Sequence, residues 1–177
     1  LCPGDLFIWA VPNAGNPQKV QRYPWDWAAG LRKLASKEPK SLGPGHGGPV
    51  VNDPAKIKKM LLETADYLDS IVEQTVAAMN AGSPPHTDIV HQVKLPKTDS
   101  PWLQAVYDEG EFIIRNVIRF YGGWWTGRPS ELKPSPRDVL AREIASLSGG
   151  ALKLAERART LAPTDMRLAC HLADYAL

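Results

Sequence analysis

The stretch DPAKIKKMLLETADYLDSIVEQTVAAMNAG, residues 53–82, decides how this chain folds. Ile57, Met60, Leu61, Leu68, Ile71, Val72, Val76 and Met79 recur at steps of three and four, the spacing that lines up one face of an α-helix. Asp53 followed by Pro54 is an N-cap with proline at the first helical position, where its missing N–H has no partner to lose. Asn80, Ala81 and Gly82 supply the stop, because glycine adopts the left-handed conformation that ends helices. The pattern predicts one uninterrupted helix, long enough to be the spine of a mainly α fold.

Downstream the helical period continues. A short helix is predicted from about residue 86 to 93, with His86 at its start and Leu95-Pro96 closing it. A second stretch runs from Pro101 to Tyr121. Its latter part, EFIIRNVIRFYGG (111–123), is read with Phe112, Ile113, Val117, Phe120 and Tyr121 on one side and Arg115 and Arg119 on another. Gly122 and Gly123 end it, and WWTGRPSELKP (124–134) is read as a loop. Three closing helices are expected at about 136–147, 151–161 and 164–175, separated by Gly149-Gly150 and Ala162-Pro163. The last pair resembles a helical hairpin, but no third copy follows, so a repeat array is not expected.

Upstream of Asp53 the composition shifts. Leu6 to Val11 reads as a buried strand, residues 25–37 (WDWAAGLRKLASK) as a helix, and Leu42 as the next strand, a strand–helix–strand order typical of an α/β layer. Between Leu42 and Asp53 lies PGHGGPV (44–50), whose glycines and prolines disfavour helix and strand alike and present a single imidazole, His46. The expected organisation is therefore a small α/β part over residues 1–52 and a helical part over 53–177.

Bulk properties narrow the function classes. The 177 residues carry a net charge of +2, far too little for a dedicated nucleic-acid surface. Cys2 and Cys170 lie near opposite ends with no CxxC, so neither a disulfide framework nor a cysteine zinc site is suggested and the compartment stays open. No apolar run is long enough for a signal h-region or a membrane span. The chain starts without methionine just ahead of a Gly-Asp turn, and is expected to be a piece of a longer polypeptide.

The candidate chemistry begins with Asp5 and His46. Carboxylate oxygen and imidazole nitrogen are both zinc donors, although two donors fall short of the three or four that a zinc site uses. Taken alone, Asp5 reads equally as a strand-end cap and His46 as an idle loop residue. His91 and His171 fall in amphipathic helices, where ordinary packing explains them. No HxHxDH, HExxH or GxSxG motif occurs, so no catalytic residue is assigned to this chain.

Two segments carry a resemblance to a known family. GDLFIWAVPNAGNPQKVQRYPWDWAAGLRKLA (4–35) followed by PGHGGPV resembles the final part of a metallo-β-lactamase-fold hydrolase. The long helix ending QTVAAMNAG, then DIVHQVKLP, YDEGEFIIRNVIRFYGGWWTGRPSELKP and LSGGALKLAERA, resembles the alkyl sulfatase dimerisation domain. The resemblance implies a helical dimerisation domain behind a small α/β remnant. It also implies that Asp5 is the bridging ligand and His46 the terminal ligand of a dinuclear zinc site. The upstream HxHxDH ligands are absent here, so the resemblance implies a partial site in a chain that is inactive alone, from a parent that hydrolyses alkyl sulfates or related esters.

The same resemblance implies a homodimer and a role for the helical part in walling an apolar substrate channel. Arg115, Tyr121, Trp124 and Trp125 are its candidate substrate-binding residues, Arg115 because guanidinium binds oxyanions well. A helix-surface pair between Arg115 and Glu111 and a core role for the aromatics are the plainer readings. Without flanking strands, Phe7, Ile8 and Trp9 are expected to need cover from another chain or from helices. A rival reading is a non-enzymatic helical adaptor with Trp25, Trp27 and the tryptophan pair at 124–125 as its partner surface and His46 incidental. Separation of the Asp5 and His46 side chains in space would favour it.

Overall fold

The computed structural model describes residues 1–84 and 88–176. In chain order its elements are β1 (Gly4–Ile8), α1 (Pro24–Ala35), β2 (Pro44–His46), α2 (Pro54–Asn80), α3 (Asp88–Gln92), α4 (Gly110–Gly122), α5 (Pro129–Leu132), α6 (Arg137–Ser148), α7 (Ala151–Leu161) and α8 (Met166–Asp174). The protein is thus mostly helical with a small two-stranded sheet, as expected from the sequence. Two compact units divide it, Leu1–Gly127 and Arg128–Leu177.

The first unit is organised by α2. Asp53 accepts a hydrogen bond from the Lys56 amide at 3.0 Å and caps the helix, and Gly82 takes the left-handed φ of +78° beyond its end. Ile57, Met60, Leu61, Leu68 and Ile71 are fully buried, as the spacing predicts, while Val72, Val76 and Met79 further along are half-buried. Two threonines share the buried face and direct their hydroxyls to carbonyls one turn back, Thr64 to Met60 at 2.8 Å and Thr75 to Ile71 at 2.6 Å. No buried donor is left unpaired by them, so they sit in the core without the desolvation cost of an unmatched hydroxyl.

Helix α1 packs along α2, and Phe7, Leu31, Ala35 and Leu42 from the first fifty residues join Ile57, Leu61, Ile113 and Ile114 in one core. Phe7 is therefore covered within the chain, Ile8 is buried as well, and Trp9 is half-buried.

β1 and β2 pair in parallel, Gly4 opposite Pro44 and Ile8 opposite His46, with an irregularity between. The strand–helix–strand order is present, but the second strand lies two residues beyond Leu42. Leu42 instead exchanges both backbone hydrogen bonds with Val50, at 2.8 and 2.9 Å, closing the loop that carries His46. The expectation that glycine and proline forbid a strand around His46 fails for Pro44–His46. At a sheet edge proline's missing N–H faces no partner strand, and Gly45 lets the backbone approach β1.

Helix α4 begins only at Gly110, leaving Pro101–Glu109 as turns, because the aliphatic period starts there. Its buried face is Ile113, Ile114, Asn116, Val117 and Ile118. The expected face is rotated, since Phe120 and Tyr121 are 45% and 55% exposed. Four β-branched aliphatics, Ile113, Ile114, Val117 and Ile118, take the core positions, and the aromatics fall outside that arc. In the second unit α6, α7 and α8 lie close to the predicted helices, and the stretch read as a loop contains the single turn α5. The expected start of α3 at His86 lies outside the described residues.

Candidate site at the ends of the parallel strands

Two short parallel strands bring their chemistry to one place. His46 ends β2, Asp5 stands at the start of β1, and the Asp5 Oδ1 to His46 Nε2 distance is 3.5 Å. Both side chains are about three-quarters exposed, Asp5 at 73% and His46 at 74%. Adjacent donors on a tetrahedral zinc with bonds of about 2.0 to 2.2 Å stand about 3.4 Å apart. The pair therefore fits one edge of such a site, and an ordinary imidazole–carboxylate contact as well. Among the described residues no group of three or more His, Cys, Asp or Glu side chains stands together, so any further ligands must come from elsewhere.

The backbone around His46 is dictated by its neighbours. A Cβ on Gly45 would fall onto the Asp5 carboxylate and the Gly4–Asp5 backbone, and one on Gly47 would enter the Trp9 ring. Gly47 also has φ of +99°, where a side chain is strained. Trp9 holds the far side of the loop through Nε1, donating to the Gly48 carbonyl at 2.8 Å, and packs edge-on against Trp102 at 6.4 Å. Gly45 and Gly47 of the PGHGG turn are there to admit Asp5 and Trp9.

An apolar recess of about 380 Å³ opens beside His46, walled by Ile8, Trp9, Ala10, Gly47, Val106 and Tyr107. Val106 and Tyr107 carried no signal in the sequence, because sixty residues and no periodic element separate them from His46. Of the residues read as substrate-binding, none forms this wall. Arg115 and Trp124 line a different recess of about 330 Å³ with Gly15, Asn16, Phe112 and Arg119. Arg115 also meets Glu111 at 3.5 Å, the plainer alternative foreseen for it.

Tyr121 joins Tyr23, Trp25 and Phe120 in a cluster of rings, with Phe120 4.7 Å from Trp25 and 4.8 Å from Tyr121. Trp124 and Trp125 are 66% and 42% exposed, so the aromatics do not form core. Trp27, by contrast, is half-buried and donates to the Leu6 carbonyl at 2.7 Å, a structural tie rather than partner surface.

Behind the strands, the turn at Ala14–Asn16 is anchored by Asp108, which sequence reading missed. Its buried carboxylate accepts from the Gly15 amide at 2.8 Å and the Glu109 amide at 2.8 Å. Burial pushes its pKa up, and the amides oppose that by stabilising the charge. Asn116 ties the same region to α4, donating to the Arg22 carbonyl at 2.7 Å. Among the described residues no helix is long and apolar enough to cross a membrane.

Comparison with known proteins agrees with this architecture. Residues 86–177, just over half the chain, match the alkyl sulfatase dimerisation family. The linear primary-alkylsulfatase of Pseudomonas sp. (strain ATCC 19151) is 33% identical over 172 residues, covering 94% of this chain and 32% of that protein. The stereoselective inverting sec-alkylsulfatase Pisa1 from Pseudomonas sp. superposes with a TM-score of 0.84 at 25% identity, over 99% of this chain and 28% of its own. A double mutant of the same sec-alkylsulfatase gives a TM-score of 0.84 at 24% identity, over 98% of this chain and 28% of its own. The chain thus spans about a third of the length of the relatives it matches.

Proposed function

Because this chain belongs to the alkyl sulfatase dimerisation family, we propose that it serves as the dimerising portion of an alkyl-sulfatase-type metallohydrolase and lends two ligands to that enzyme's metal site. On this reading residues 1–52 belong to a metallo-β-lactamase-like hydrolase part and residues 53–177 to the part that pairs two copies. Asp5 and His46 would hold divalent metal, zinc by the chemistry of a carboxylate–imidazole donor set. When bound, such ions acidify water and neutralise charge on a leaving sulfate. This chain's own contribution is to fix two donor atoms side by side and to offer the apolar recess of Ile8, Trp9 and Val106 next to them.

The observation that carries the reading is the 3.5 Å approach of His46 Nε2 to Asp5 Oδ1, reached across 41 residues of chain and maintained by a glycine that any side chain would displace. The adaptor reading keeps one point in its favour, the half-exposed rings of Tyr23, Phe120 and Tyr121. It gives no reason for Asp5 and His46 to converge.

Calorimetric titration of the chain with Zn²⁺, paired with an assay for sulfate release from octyl sulfate, tests the proposal. Weak saturable binding that disappears in His46→Ala, without turnover, is the expected result. Tight binding with turnover by the chain alone contradicts it, as does binding indifferent to Asp5→Ala and His46→Ala.

A further inference from the structure

The outer wall of the recess beside His46 has little packing of its own. Between buried Leu103 and buried Asp108, residues 104–107 are all exposed, Val106 at 75% and Tyr107 at 58%. What places them is the way segment 101–109 is tied to the stretch that follows β1. Trp102 meets Trp9 edge-on at 6.4 Å. The Gln104 carbonyl accepts from the Val11 amide at 3.0 Å, and the Asp108 carboxylate from the Gly15 amide at 2.8 Å. Each tie joins residues 93 apart, so the two stretches run side by side in one direction. The first supplies the inner wall of the recess through Ile8, Trp9 and Ala10, and the second the outer wall through Val106 and Tyr107.

Of the three ties only the last is both charged and buried. Asp108 is 2% exposed. Its Oδ2 takes the Gly15 amide and its Oδ1 the Glu109 amide, and the Asn16 amide turns to the same carboxylate. Hydrogen bonds of this kind are directional, so they fix how the chain leaves Tyr107. Gly15 is itself seated, since a Cβ there would strike the Phe112–Ile113 backbone at the start of α4. Arg22, ahead of α1, lends the carboxylate a positive charge, and Tyr67 on α2 and Glu109 beside it are the other titratable groups near it among the described residues. Asp108 does not line the recess.

We propose that Asp108 is the positioning residue of this recess: by gripping the turn at Gly15 and Asn16 it holds Val106 and Tyr107 as the outer wall, and so sets the affinity for an apolar ligand without touching one. The inference rests on the proposed role of the recess and adds the residue that shapes it. Asp108→Asn is the matching variant, because it keeps the size of the side chain but turns an NH₂ donor towards amides that are donors themselves.

Titration of the full chain with 1-octanol, a probe without charge, followed by the Trp9 indole N–H resonance, provides the test. The wild type should bind saturably. Asp108→Asn should weaken binding by about fivefold or more, while far-UV circular dichroism and Zn²⁺ binding stay as in the wild type. Val106→Ala with Tyr107→Ala should weaken it as well. Adding Asp108→Asn to that pair should then change the affinity by less than about twofold, because the wall through which Asp108 acts is already gone. If Asp108→Asn does not fold, pH replaces it. Wild-type affinity for octanol should fall as acid protonates the carboxylate, and fall likewise in His46→Gln, which removes the imidazole beside the recess. Undiminished affinity in Asp108→Asn, an additive loss in the triple variant, or a loss accompanied by loss of Zn²⁺ binding overturns the inference and leaves the recess standing. So does an affinity indifferent to acid, or a fall that His46→Gln abolishes. A wild type that does not bind octanol overturns the recess together with the inference, while the Zn²⁺ titration still tests the metal ligands separately.

Discussion

Gly45 shows how one residue can hold a site together without touching a ligand. Its missing Cβ is the space that the Asp5 carboxylate occupies, so Gly45→Ala must push β2 away from β1. A cost of about 1–3 kcal/mol in urea unfolding is expected, as for other forced overpacking, together with loss of Zn²⁺ affinity. Gly48→Ala is the control, because open space surrounds that position; it should be neutral within about 0.5 kcal/mol. The sequence made His46 conspicuous, since a lone imidazole among glycines has no packing role. It did not reveal the reason for Gly45 and Gly47, which lies in Asp5 and Trp9, remote along the chain. Tyr67 was equally silent. Burial first, and the charges of Asp108 and Glu109 next, push its phenol up to about 12. A phenol protonated longer in the folded chain than in the unfolded one stabilises the fold fully below about pH 10 and loses that contribution as pH rises towards 12. The loss amounts to about 2–3 kcal/mol, and Tyr67→Phe should remove it from the stability-versus-pH curve measured by chemical unfolding.

At the scale of elements, α2 was readable end to end because each signal agreed with the others: cap, proline, period and terminal glycine. Asp53→Ala should cost about 1 kcal/mol, the usual worth of such a cap, visible as a lower unfolding midpoint with unchanged denaturant slope. Helix α4 was readable as a helix but not in its facing. With Phe112, Ile113, Ile114, Val117, Ile118, Phe120 and Tyr121 nearly all round it, the period admits two apolar arcs. Packing against α2 chose the aliphatic one and left Phe120 and Tyr121 with Tyr23 and Trp25. The strand β2 was missed because Pro44 and Gly45 lack strand propensity. What makes it a strand is its neighbour β1, a tertiary cause that no local window contains.

At the scale of the molecule, the helical class and the family followed from motif order, MNAG, RN, YGGW and SGG, since such a series is far more specific than any one turn. The candidate site was legible only as two residues. Its apolar wall at Val106 and Tyr107 depends on how the turns at 101–109 fold back. The most direct measurement of the metal-site claim is two-dimensional ¹H–¹⁵N imidazole NMR during Zn²⁺ titration. The His46 Nε2 resonance should shift selectively and saturably, those of His86, His91 and His171 should stay in place, and Asp5→Ala should weaken the effect. A His46 resonance indifferent to Zn²⁺, or equal shifts at all four imidazoles, would contradict it.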